Sequence, residues 1–204
     1  GRLGVTADIA AYGGADFDGV FAGLEGRTYD CVIAGTTVTG ERQRVADFAA
    51  SYLISGQSLA VDTERLPRVR SVDDLAGLTI GVQRGNTSRT VAEHLVAQGK
   101  AARVRVYDYG AVRAAVQDLR TGGCDVFMKL APVLTELVKA VPGVEVVQRG
   151  LTREPIAIAV ARDRPDLLHR IEDAQAELEA DGTLQQIRGR WLGNPYRDQL
   201  LGMH

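Results

Sequence analysis

Apolar positions along this chain recur with two periods. Short β-branched runs at residues 57–61 (QSLAV), 79–83 (TIGVQ), 103–107 (RVRVY) and 156–160 (IAIAV) predict strands, as do 31–34 (CVIA) and the stretch ending at Tyr12. Between them, apolar residues spaced by three and four mark helix faces: Phe17, Val20, Phe21 and Leu24, then Val91, Ala92 and Leu95, then Val112, Ala115, Val116 and Leu119. Residues 84–88 read as a loop, 88–98 as a helix, and 165–192 as two helices broken at Asp181 and Gly182. The polar, proline-containing stretch 63–74 reads as a surface excursion.

The pattern repeats. Tyr107 and Asp125 stand 95 residues after Tyr12 and Asp30 (107 − 12, 125 − 30), and the apolar helix positions between them shift by the same amount. Two similar α/β lobes follow. The counterpart of TIGVQ would fall before residue 1, so the first lobe is expected to lack its opening strand and most of its opening helix, with residues 1–4 as that helix's tail. A missing strand would leave backbone groups and apolar surface to be covered, by another chain among other routes. Residues 51–56 and 151–155 each precede an apolar strand and predict two crossings between lobes, hence a hinge. The expected lobes are 1–54 with 156–204, and 55–155.

Composition narrows the function classes. The 204 residues are 45% hydrophobic and 25% charged, with a net charge of −2, which gives no electrostatic reason for a nucleic-acid partner. No apolar run reaches the roughly 18–20 residues of a membrane span. Cys31 and Cys124 each sit at a strand start and read as small buried hydrophobes, while His94, His169 and His204 have no ligand-like neighbours, so neither a metal nor a cofactor is expected.

The candidate chemistry lies at strand ends, where ligands of open α/β sheets bind. After residue 34 come Gly35, Thr36, Thr37 and, a turn later, Arg42. Turn N–H groups and hydroxyls form a concave donor set, and the guanidinium fork matches both oxygens of a carboxylate. After residue 83 come Gln83, Asn86, Thr87 and Ser88, opening a helix whose N-terminal N–H groups favour an anion. The alternatives are a surface pair of Arg42 with Glu41 or Asp47, and a plain helix cap at 86–88. The third strand end carries Lys129, Leu130, Ala131 and Pro132.

The runs YDCVIAGTTVTGERQRVADF, LPRVRSVDDLAGLTIGVQRGNTS, DLRTGGCDVFMKLAPV and EADGTLQQIRGRWLG resemble the type II periplasmic amino-acid-binding proteins, the solute-binding subunits of ABC importers. The resemblance implies a two-lobe α/β fold of the Venus-flytrap type, with a carboxylate-bearing, amino-acid-like solute gripped from both lobes. It further implies a membrane permease as partner and a periplasmic or extracellular location, with a lipid tether compatible. Trp191 matches a position that packs against the first lobe. One departure stands out: where the family has an acid before Ala-Pro to pair the ligand ammonium, this chain has Leu130. Glu154 is the nearby acid that would substitute. Lys129 has two readings, solvated on the far side of its strand or turned toward the ligand and favouring a second anionic group. The alternatives of another class are a cyclohexadienyl dehydratase-like enzyme, for which Leu130 and Lys129 supply no general acid, and the sensing domain of a receptor.

Overall fold

The computed structural model describes residues 2–193, so His204 lies outside the described residues. Contacts divide the described residues into two compact units: residues 2–12, 20–54 and 154–193 form one, and residues 13–19 with 55–153 the other.

In the first unit, α1 (Val20–Glu25) buries Val20, Phe21 and Leu24, which are the i, i+1 and i+4 positions of its apolar face. They pack with Val32, Ala46, Ala159 and Ala161. Three short strands make its sheet: β1 (Cys31–Val32) and β2 (Asp47–Phe48) flank β10 (Ala159–Val160), both antiparallel to it. Two helices close the unit, α5 (Pro165–Ala180), with proline in its first turn, and α6 (Thr183–Leu192). Gly182 makes the break between them at φ 78°, a left-handed conformation that costs glycine little. Arg188 of α6 is buried and holds Glu179 of α5 through two bonds from Nη2, at 2.7 and 2.8 Å.

Two expectations fail in this unit. The stretch ending at Tyr12 is not a strand: among the described residues no strand precedes α1, and Ile9 is 90% exposed. Strand conformation in water requires a partner ladder, and the sheets among the described residues include none of this stretch. Trp191 is 72% exposed rather than packed, with Arg190 over its ring at 5.4 Å.

The second unit holds a five-stranded sheet in the order β6-β5-β7-β4-β8: Arg103–Tyr107, Thr79–Gln83, Val126–Leu130, Gln57–Asp62 and Val144–Gln148. β5 runs parallel to β6 and β7, while β4 is antiparallel to β7 and β8. β4 and β5 are buried at every position, consistent with their continuous apolar character. Helix α2 (Ser88–Ala97) covers one face through Ala92 and Leu95 against Leu59, Ile80, Val82 and Met128. Helices α3 (Val112–Thr121) and α4 (Ala131–Val138) cover the other through Ala115, Leu119 and Leu134 against Ala60, Tyr107 and Phe127. Cys124 is fully buried there, its Sγ 3.8 Å from the Ala115 carbonyl oxygen, and Cys31 is half-buried in β1; both are free thiols whose pKa burial pushes up.

Residues 13–19 belong to this unit because they pack on its strand ends. Tyr109 N–H donates to the Ala15 carbonyl at 2.7 Å, Phe17 N–H to the Arg84 carbonyl at 3.2 Å, and the Phe17 and Tyr109 rings meet at 5.4 Å. Gly85 has φ 74°, and a Cβ there would lie 2.7 Å from the Phe17 backbone nitrogen, so the approach requires glycine. The remaining strands, β3 (Leu53–Ser55) and β9 (Glu154–Ile156), pair with each other where the chain passes from one unit to the other.

Candidate functional site

The first unit gathers Gly35, Thr36, Thr37, Arg42 and Glu154. Gly35 turns the chain after β1 at φ 67°. Thr37 then bridges Ile156, and its neighbours tie down the same strand: Ala157 N–H donates to the Thr36 carbonyl at 3.1 Å and Val38 N–H to the Pro155 carbonyl at 2.9 Å. This pairing brings Glu154 beside Thr37, whose hydroxyl donates to Glu154 Oε2 at 2.7 Å. Arg42 sits in a tight turn (Arg42–Arg44) and is only 6% exposed. Its Nη1 donates to the Thr37 carbonyl at 2.9 Å and its guanidinium stacks on the Phe21 ring at 5.7 Å. A surface pair is thereby excluded, and Asp47 instead faces Arg162 at 3.9 Å. Thr36 Oγ1 is buried with no hydrogen-bond partner among the described residues, a donor and acceptor in reserve. The Tyr52 phenol lies against the Gly35 backbone, and burial pushes its pKa up.

The second unit gathers Gln83, Asn86, Thr87, Lys129 and Leu130 at the carboxyl ends of β5 and β7. Thr87 occupies the cap of α2 without a capping bond from its side chain; its hydroxyl instead accepts from Gln57 Nε2 at 3.0 Å. Ser88 Oγ, at the first position of the helix, is buried with no hydrogen-bond partner among the described residues. Residues 86–88 are thus not a plain side-chain cap. Gln83 is fixed from three sides: its Nε2 donates to the Tyr109 carbonyl, and its Oε1 accepts from Asn86 Nδ2 at 3.4 Å and from Lys129 Nζ. Lys129 is 9% exposed, which removes the solvated reading. Alternation along β7 sends Val126 and Met128 to the α2 face and Phe127 to the other, and Lys129 follows Phe127. Burial holds its pKa down to about 8. Leu130 is half-buried, opposite Gln57 in the ladder and at the cap of α4.

Sequence reasoning did not anticipate Gln57, Phe21 or the Lys129–Gln83 contact. Only Gln57, a polar residue opening an otherwise apolar strand, left a signal in the sequence. Among the described residues no three His, Cys, Asp or Glu side chains are grouped to hold a metal ion, and no helix is long and apolar enough to cross a membrane.

Two α/β units, each with donors at strand ends, define a solute-binding class of protein. Residues 2–194 match the family of bacterial extracellular solute-binding proteins, family 3, and the chain belongs to that family. It is 31% identical over 193 residues to the L-cystine-binding protein TcyJ of Escherichia coli (strain K12), covering 94% of this chain and 70% of that protein. Among solved structures, an ancestral arginine-binding protein bound to arginine superposes with a TM-score of 0.83 at 32% identity, over 94% of this chain and 83% of that one. The ancestral amino acid-binding protein AncCDT-1, a precursor of cyclohexadienyl dehydratase, matches at 28% identity and a TM-score of 0.79, over 93% and 79% of the two chains. These relatives are named as binding proteins, including the one tied to the dehydratase, and the chain is a solute-binding protein of the type that serves ABC importers.

Proposed function

We propose that this protein captures a small carboxylate-bearing, amino-acid-like solute outside the cytoplasmic membrane and delivers it to the permease of an ABC importer. In this reading Arg42, with Gly35, Thr36 and Thr37, holds the carboxylate, and Gln83, Asn86 and Thr87, with the start of α2, engage the same solute. The observation that carries it is the burial of Arg42 with its fork oriented by the Thr37 carbonyl and the Phe21 ring. A guanidinium held this way offers a pre-set bidentate partner to a carboxylate. The relatives named for cystine and arginine bind solutes with that group, which supports the class. Glu154 is the acid available to a ligand ammonium, taking the part that Leu130 does not supply.

Thermal-shift and calorimetric screening against L-cystine, L-arginine, L-glutamine, L-glutamate and glutarate tests the reading. A ligand at about 100 times its Kd stabilises the folded state by about 2.7 kcal/mol. At least one of these carboxylates is expected to do so, and no response to any of them overturns the proposal. The proposal extends to two finer points. A lipid tether is checked by membrane fractionation of the expressed protein. Contact of the exposed Val5 and Ile9 face with another chain is checked by the mass in solution.

A further inference from the structure

The second unit contains a buried cation with no counter-charge. Lys129 is 9% exposed, and among the described residues its ammonium forms no ion pair and makes one hydrogen bond, to the neutral Gln83 carbonyl oxygen. An ammonium has three donors, and a charge taken from water without an opposite charge costs several kcal/mol. Gln83 cannot turn to supply more, because its amide nitrogen is committed to the Tyr109 carbonyl. β5 and β7 are parallel, so α2 and α4 both begin at this edge and direct their positive ends to it. Of the acids at this edge, Asp108 is paired with Arg84 at 3.1 Å, and Asp16 and Asp18 lie in the segment packed on Arg84 and Gly85. Leu130, one residue on, is apolar. Lys129 is also tied to the candidate site itself, since it shares the Gln83 Oε1 acceptor with Asn86.

We infer that Lys129 is a specificity-determining residue that takes a second anionic group of the solute, so that the preferred ligand is a dicarboxylate-type molecule and not a cationic one. This rests on the solute-binding reading above and deepens it. A carboxylate arriving at Lys129 would satisfy donors that the protein leaves unused, while a cationic solute would bring like charge against a buried ammonium and two helix N-termini.

The test compares matched probes differing only in the second charge: glutarate against its mono-amide, and L-glutamate against L-glutamine, with L-arginine as the cationic probe. Calorimetry on wild type is expected to show each diacid bound at least about tenfold tighter than its amide. In Lys129→Met and Lys129→Gln that preference is expected to fall to near unity, with the amides affected less than about threefold, which a merely structural role would not produce. An unchanged preference in both variants overturns the inference, as does wild-type protein that binds L-arginine or an amide more tightly than the diacids; the solute-binding reading survives either result. Failure of every probe to bind wild type overturns both.

Discussion

Each unit buries one cation at its strand ends, and the two are compensated differently. Arg42 and Glu154 are both buried in the first unit and meet through one residue: Thr37 accepts from the arginine with its backbone oxygen and donates to the carboxylate with its hydroxyl. Positive and negative charge are held in one network there. In the second unit Lys129 is buried about as deeply, and among the described residues its ammonium's only acceptor is a neutral amide. The first arrangement is pre-organised with both signs of charge present, whereas the second is costly until something negative arrives. A cation kept in the costly form is better explained by binding than by stability.

The largest expected effect tests the compensated side. Arg42→Ala should weaken binding of the identified carboxylate by about 2–5 kcal/mol, and Arg42→Lys should recover only part of it, because a point charge does not replace a planar fork. Calorimetry decides, and an unchanged Kd would remove Arg42 from the site.

Breaking the uncompensated side should have the opposite sign in the free protein. Lys129→Met is expected to raise stability at pH 7 by roughly 1–3 kcal/mol, measured by urea unfolding. Its pH dependence follows from the lowered pKa. Below about pH 8 the lysine is charged in both states and the penalty is complete; from about 8 up to its ordinary 10.5 the folded state has shed a proton that the unfolded chain still holds. Wild-type stability should therefore rise relative to Lys129→Met through that window and converge on it above. A constant difference across the window would show that the lysine is not the group responsible.

Thr37→Val separates the two links in the first unit, since it removes the hydroxyl to Glu154 and keeps the carbonyl to Arg42. A loss of about 1–3 kcal/mol in unfolding free energy is expected from the carboxylate left short of a donor. Asp108→Asn gives the smallest effect. Its pair with Arg84 is solvent-exposed, and such pairs contribute about 0–1 kcal/mol, so a change above that range would mean that the charge near Lys129 matters more than the geometry suggests.

The legibility of these features in the sequence follows their physics. β5 and β6 with their following helices were readable because continuous apolar runs and i, i+3, i+4 spacing repeat through the second unit. The Arg42 cluster was readable because donors and fork lie within one turn. The failed strand before Tyr12 depends on a partner ladder, which local pattern does not specify. The burial of Lys129 was open for a related reason: alternation says which face a residue takes but not how deeply that face is covered at the strand end. Gln57 and Phe21 reach their partners from distant segments, Gln57 at Thr87 and Phe21 at Arg42, so no spacing announces them.

The free thiol of Cys124 gives the second unit a built-in reporter. Its sulfur is fully enclosed against α3, and burial keeps it in the unreactive protonated form. A thiol so placed is inert to oxidants in an oxidising surrounding as long as the sheet stays closed. Its rate of alkylation by a small maleimide therefore counts openings of that one unit, and a solute that engages Lys129 and Gln83 should slow the count in proportion to its occupancy.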